Sequence, residues 1–277
     1  MMRSALLVLV AACSGGRMPT TGDAGGEIDS YEFHHEGLYG LRLPPPGALV
    51  DYQLGGAYTP PAGVKIVSRD RTAARAAGLY NICYVNGFQI QPEEEAFWLG
   101  SHPTLILRDD AGDPIIDADW NEMLIDVSTA AKRAEVLAIV NGWIEGCALA
   151  GYDAVEIDNL DSYTRSQNRL SEANAVAAMR SFSVAAHDNS LAVAQKNSSE
   201  LAGRKADLET DFAVAEECNH YQECGDYTAA YGNQVIVIEY VRADFTAGCT
   251  NFPQLSTVLR DRDLVTPTTA GYVFDGC

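Results

Sequence analysis

From about residue 48 to the C-terminus, short β-branched runs alternate with longer stretches of helical period. The runs are Val50–Gln53, Val64–Val67, Asn81–Val85, Asp153–Asp158, Leu191–Gln195, Asp211–Glu216, Val235–Tyr240 and Gly271–Phe274. Most are rich in Val and Ile without strict polar alternation, as expected of parallel strands buried on both faces. Between them, Val136, Ile139, Val140, Trp143, Ile144 and Cys147 recur at three- and four-residue steps. That spacing predicts a helix from about Thr129 to Ala150, with Gly151 as its stop. Val176, Met179 and Phe182 predict a second helix from about Ser171 to His187. Thr104–Leu107 and Ile115–Ile116 read as a small hairpin inserted in a loop. Eight strands with intervening helices predict an α/β fold, a single-domain (β/α)8 TIM-type barrel. An open doubly wound sheet is the competing arrangement.

The start of the chain has a different character. Met1-Met2-Arg3 precedes a short apolar run, Ala5 to Ala12, that ends in Val10-Ala11-Ala12-Cys13. The run is too short to span a bilayer, and its end resembles the lipobox of bacterial lipoproteins. Residues 1–12 therefore read as a lipoprotein-type signal peptide and Cys13 as the lipidated residue, with ordinary signal-peptidase cleavage as the alternative. Residues 13–30, rich in Gly, Thr and Asp, read as a flexible tether, and residues 31–277 as the barrel domain. The expectation is an exported protein that meets a membrane only through a lipid anchor.

Charge narrows the partners. There are 19 Lys and Arg against 38 Asp and Glu, a formal balance of −19. Nucleic acid is excluded as a partner, because that affinity comes largely from cations neutralising phosphates. A cationic ligand would suit such a surface. With Cys13 lipidated, six cysteines remain, an even number that points to disulfides in an exported protein. Cys218 with Cys224, Cys249 with Cys277 and Cys83 with Cys147 is the pairing favoured among the 15 that six cysteines allow. No CxxC pair exists and the five histidines are scattered, so neither a metal nor another cofactor is expected.

Two strand ends carry the chemistry. In Asp153-Ala154-Val155-Glu156-Ile157-Asp158-Asn159, the period of two sends Glu156 and Asp158 to one face and Val155 and Ile157 to the other. In a barrel the acidic face looks inward, and its C-terminal end opens at the active-site mouth. Phe212-Ala213-Val214-Ala215-Glu216 is again acidic at its end, two βα units later, which places Asp158 and Glu216 on strands four and six. Glu239 ends a third such run. Carboxyl groups opposed across a cleft are what glycoside hydrolysis requires. The bland reading is that these acids cap helices or pair with cations such as Lys196.

The chain resembles glycoside hydrolase family 114, the endo-α-1,4-polygalactosaminidases, over roughly residues 48 to 245. The blocks that carry the resemblance are Asp51-Tyr52-Gln53-Leu54-Gly55-Gly56, Ile82-Cys83-Tyr84, Gly151 through Tyr163, Lys196-Asn197, Glu216-Glu217-Cys218 with Tyr221, Glu223 and Cys224, and Glu239-Tyr240. The resemblance implies a barrel that cleaves polymers of α-1,4-linked galactosamine and N-acetylgalactosamine, with Asp158 and Glu216 as the catalytic pair. Asp158 is expected as nucleophile and Glu216 as general acid/base. Tyr52, Tyr84, Glu156, Asn159, Asp161, Tyr163, Lys196 and Glu239 are the expected substrate-binding residues, the first two as ring platforms. A monomer is expected. The alternatives are a non-catalytic polysaccharide-binding lipoprotein and a hydrolase of a different amino-sugar polymer.

Overall fold

The computed structural model describes residues 40–277. The expected signal peptide, the expected lipidation at Cys13 and the expected tether lie outside the described residues. Eight parallel strands are hydrogen-bonded side by side in chain order. They are β1 (Val50–Gln53), β2 (Ile66–Asp70), β3 (Tyr80–Asn86), β4 (Ala154–Asp158), β5 (Ala192–Lys196), β6 (Phe212–Glu216), β7 (Val235–Glu239) and β8 (Ser256–Arg260). The fold is a (β/α)8 TIM-type barrel. Alternation along each strand sorts the side chains between two layers. Tyr52, Ile82, Ala154, Ala194, Phe212, Val214, Ile236 and Val258 form one cluster in the barrel interior. Val85, Val155, Ile157 and Val193 pack with the surrounding helices in another.

The six α-helices are α1 (Glu95–Ser101), α2 (Ala130–Leu149), α3 (Glu172–Asp188), α4 (Lys205–Leu208), α5 (Cys224–Tyr231) and α6 (Arg242–Asn251). In α2 the buried side is Val136, Val140, Ile144 and Cys147, and Thr129 caps its start by accepting from the Lys132 amide at 3.2 Å. Ser171 and Asn174 form a capping box at the start of α3. Among the described residues no helix follows β1, β2 or β8, and those three connections stay as loops.

Two expectations need correction. The eighth barrel strand is Ser256–Arg260, not Gly271–Phe274. All five of its residues are buried although three are polar, so a search for Val- and Ile-rich runs passes over it. Phe274–Gly276 is instead a short ninth strand, β9, antiparallel to β8. The inserted hairpin also pairs differently. Ile115 still bonds to Leu107, but Ile116–Asp117 joins Glu122–Leu124, which in turn pairs with Gln89–Ile90 in a small three-stranded sheet.

No backbone ladder joins β1 to β8 among the described residues. Arg260, 0% exposed, spans that seam with its side chain. It donates to the Tyr52 carbonyl and to Asp51 Oδ1 across the seam, and to the Val273 and Val265 carbonyls on its own side. The three disulfides are Cys83–Cys147, Cys218–Cys224 and Cys249–Cys277. The first ties β3 to α2, and the last ties α6 to the chain end.

Candidate active site

The inward-facing positions at the C-terminal strand ends are Tyr84, Asp158, Lys196 and Glu216, with Tyr240 just beyond β7. After three of these strands the chain turns through a left-handed residue: Asn159 (φ 67°), Asn197 (φ 49°) and Glu217 (φ 55°). Asn tolerates that conformation, whereas Glu does so at a cost on the order of 1–3 kcal/mol. Glu217 is held there by its amide bond to the Ile238 carbonyl at 2.8 Å and by Arg262 at 3.0 Å.

Lys196 is the centre of the site. Its ammonium, almost fully buried, lies 3.1 Å from Asp158 Oδ1 and 2.9 Å from Glu216 Oε2, with Glu156 Oε1 at 3.8 Å. The first two contacts bound the gap between those Asp158 and Glu216 oxygens at 6.0 Å. Each carboxylate has further donors of its own. Tyr84 donates its hydroxyl to Asp158 Oδ2 at 2.8 Å, and the Asn159 amide donates to Oδ1 at 2.8 Å. Glu216 accepts from the Tyr240 hydroxyl and from Asn197 Nδ2 at 3.0 Å.

Burial works to raise the Glu216 carboxyl, but the Lys196 charge and the bonds from Tyr240, Lys196 and Asn197 outweigh it and hold the group at about 2. For Lys196 burial works downward, and Asp158, Glu216 and Glu156 together drive it well above the usual lysine range. The resting site thus sets a buried ammonium against an ionised Glu216.

The pair sits in a groove across the barrel mouth. A hollow of about 420 Å³ holds Tyr84, Asp158, Lys196 and Glu216, walled by Glu122, Arg165 and the β1 and β8 loops. A second, of about 620 Å³, runs on past Tyr163, Glu200, Tyr221 and Glu223. The two share Trp120, Asp161, Asn197, Glu216, Tyr240 and Arg262, so Glu216 stands where they join. The second hollow carries five carboxylates against one guanidinium.

The model of glycoside-hydrolase family GH114 matches residues 38–277. The chain belongs to that family. It is a glycoside hydrolase. The GH114 chain is similar to Aspergillus fumigatus Ega3, solved in complex with galactosamine, at 20% identity and a TM-score of 0.70, covering 85% of this chain and 97% of that one. It is similar also to the glycoside hydrolase domain of PelA from Pseudomonas aeruginosa, at 15% identity and a TM-score of 0.58, covering 81% and 97%. No curated protein matches it in sequence.

Of the residues singled out in the GH114 sequence, Tyr52, Tyr84, Asp158, Asn159, Asp161, Lys196 and Glu216 line the smaller hollow. Asp161 is held by both Arg165 Nη atoms at 2.8 Å, and Tyr163, in the larger hollow, gives its hydroxyl to Glu200 at 2.7 Å. Three expectations are corrected. Glu239 does not reach the groove. The pleat of β7 sends Ile236 and Ile238 inward and Glu239 outward, where it is fully buried beside the Cys218–Cys224 disulfide and accepts from Asn219. Glu156 faces inward but lies deeper than Asp158, fully buried under bonds from Tyr52 and Ser68, so it touches no substrate. Tyr52, 1% exposed and spent on Glu156, offers no ring face. Glu239 also completes a trio of candidate metal donors with Cys218 and Cys224, but the disulfide consumes both sulfurs.

The structure adds Trp120, Glu122 and Arg262 to the groove of the GH114 enzyme. Trp120 is 57% exposed. A lone Trp inside the polar stretch Asp117-Ala118-Asp119-Trp120-Asn121-Glu122 is the available signal, since a large ring there has nothing local to bury against.

Proposed function

We propose that this enzyme is an endo-acting glycosidase that hydrolyses α-1,4-linked galactosamine and N-acetylgalactosamine polymers, with Asp158 and Glu216 as its carboxylate pair. The observation that carries the reading is Lys196 bridging the two at no more than 6.0 Å across an open groove. Carboxyl groups about 5–5.5 Å apart belong to the retaining mechanism, whereas inverting enzymes need roughly 6.5–9.5 Å to admit a water. Asp158 is then the nucleophile and Glu216 the general acid and later the base. Galactosamine bound to the related fold of Ega3 and the acidic groove both favour an amino sugar. Trp120 supplies the exposed ring on which a sugar stacks.

Lys196 fits this division of roles. The acid must be protonated when the glycosidic oxygen arrives, yet in the empty groove Lys196 keeps Glu216 ionised. Substrate therefore has to turn Lys196 toward Asp158, freeing Glu216 to take up a proton. Once Asp158 is esterified by the sugar its charge is gone, and Lys196 again favours the Glu216 carboxylate that activates water.

The test is incubation with galactosaminogalactan, with chitosan and other polymers in parallel. New reducing ends from the galactosamine polymer, released with the α configuration by NMR, are the expected result. Binding without reducing ends would establish the polysaccharide-binding alternative, and cleavage of chitosan alone the different polymer.

The three disulfides are bonds of an oxidising compartment. We infer that Cys13 adds a lipid anchor to that exported protein. Cys13→Ser should move the protein from the membrane fraction to the soluble one, because stable anchoring depends on the acyl chains. Unchanged membrane association would overturn the anchor.

A further inference from the structure

Four carboxyl groups besides the pair line the smaller hollow, and Glu122 among them has no part in the mechanism above. Glu122 opens the last strand of the inserted sheet, two residues after Trp120. Its Oε2 accepts from Asn86 Nδ2 at 3.0 Å. Asn86 is 2% exposed, sits opposite Asp158 in the β3–β4 register, and is fixed by the Gln89 amide, which donates to its Oδ1 at 2.9 Å. Asn86 thus has one orientation, and it points its amide at Glu122. The other Glu122 oxygen has no hydrogen-bond partner among the described residues.

Among the described residues no cation lining the hollow pairs with Glu122. Arg165 is spent on Asp117 at 2.6 Å and on Asp161, Lys196 on the catalytic pair, and Arg262 on Glu217 at 3.0 Å. Asp70 and Asp161 line the same hollow. Resting on the amino-sugar reading, we propose that Glu122 distinguishes an amine from an acetamide on the sugar bound beside Asp158. As a carboxylate it accepts a hydrogen bond from an ammonium group. As a carboxylic acid it donates one to an acetamide carbonyl. Both forms are within reach near neutrality. Burial raises the Glu122 carboxyl, the Asn86 bond opposes it, Asp158, Asp117 and Glu93 raise it further, and it comes to about 7.

The experiment compares kcat/KM for galactosamine and N-acetylgalactosamine oligomers of equal length at about pH 5.5 and about pH 7.5, which bracket the Glu122 titration. In the wild type the preference for the free amine should rise by about 10-fold between the two, the scale of a charge-assisted hydrogen bond. Glu122→Gln, which keeps the shape of the protonated group, should hold the low-pH ratio throughout. A merely structural role would lower both rates together and leave the ratio following the wild type, which would overturn the proposal. So would a wild-type ratio that does not change with pH, whatever the variant's folding. If the wild type cleaves neither oligomer, the functional reading falls. Calorimetric Kd values for the same oligomers, pH values and two proteins then decide the role of Glu122 separately.

Discussion

Glu216→Gln should lower turnover by at least about 10³-fold, and Asp158→Asn should do the same, since each removes a group that transfers a proton or attacks carbon. Both replacements keep the shape of the side chain. The amide introduced in place of Glu216 keeps one acceptor oxygen, for either Tyr240 or Asn197, and the one in place of Asp158 can still accept from Tyr84. Each variant also leaves Lys196 one carboxyl partner from the pair. A cooperative melt and an unchanged circular dichroism spectrum are therefore expected alongside the lost activity. A folded variant with near wild-type turnover would remove that residue from the pair.

Lys196→Met should be the most destabilising single change in the barrel mouth, by about 3–5 kcal/mol, because it strands Asp158 and Glu216 against each other without their shared cation. The loss should depend on pH. Folding depresses the Glu216 carboxyl from its unfolded range near 4.3 to about 2, so its stabilising contribution is present above the unfolded value and fades as pH falls through the folded one. Without Lys196 the depression goes with it. Urea melts should show a wide gap between wild type and variant near pH 7, narrowing toward pH 3. A gap of constant size would mean that the lysine contributes packing rather than charge.

The regular half of this molecule is legible in the sequence because its residues announce their surroundings. Helix α2 shows a four-position apolar stripe behind a Thr cap, β7 is an unbroken aliphatic run ending in an acid, and β4 alternates aliphatic and acidic positions up to Asp158. The same period of two that sets Asp158 inward sets Glu239 outward, because Ile236 and Ile238 already occupy the inner face there. Strand β8 is hidden because three of its five buried residues are polar and its arginine finds its charge partner far away in the chain. Arg260 meets Asp51 across 209 positions, and no local pattern encodes such a partner. The groove wall is a similar case. Glu122 matters because Asn86 and Asp158 stand beside it, a neighbourhood that exists only after the inserted sheet folds back over β3.

The seam between β1 and β8 also sets an order of events in time. Strand β1 is latched to its far neighbour by Arg260, made 208 positions later in the chain, and β9 follows β8. Seven strands can therefore be synthesised while the eighth side of the barrel is still open, with polar strand edges and apolar interior exposed together. Contacts of such long sequence separation form slowly. A chain of this design keeps one side of its barrel unlatched until Arg260 has been made and reaches back to Asp51.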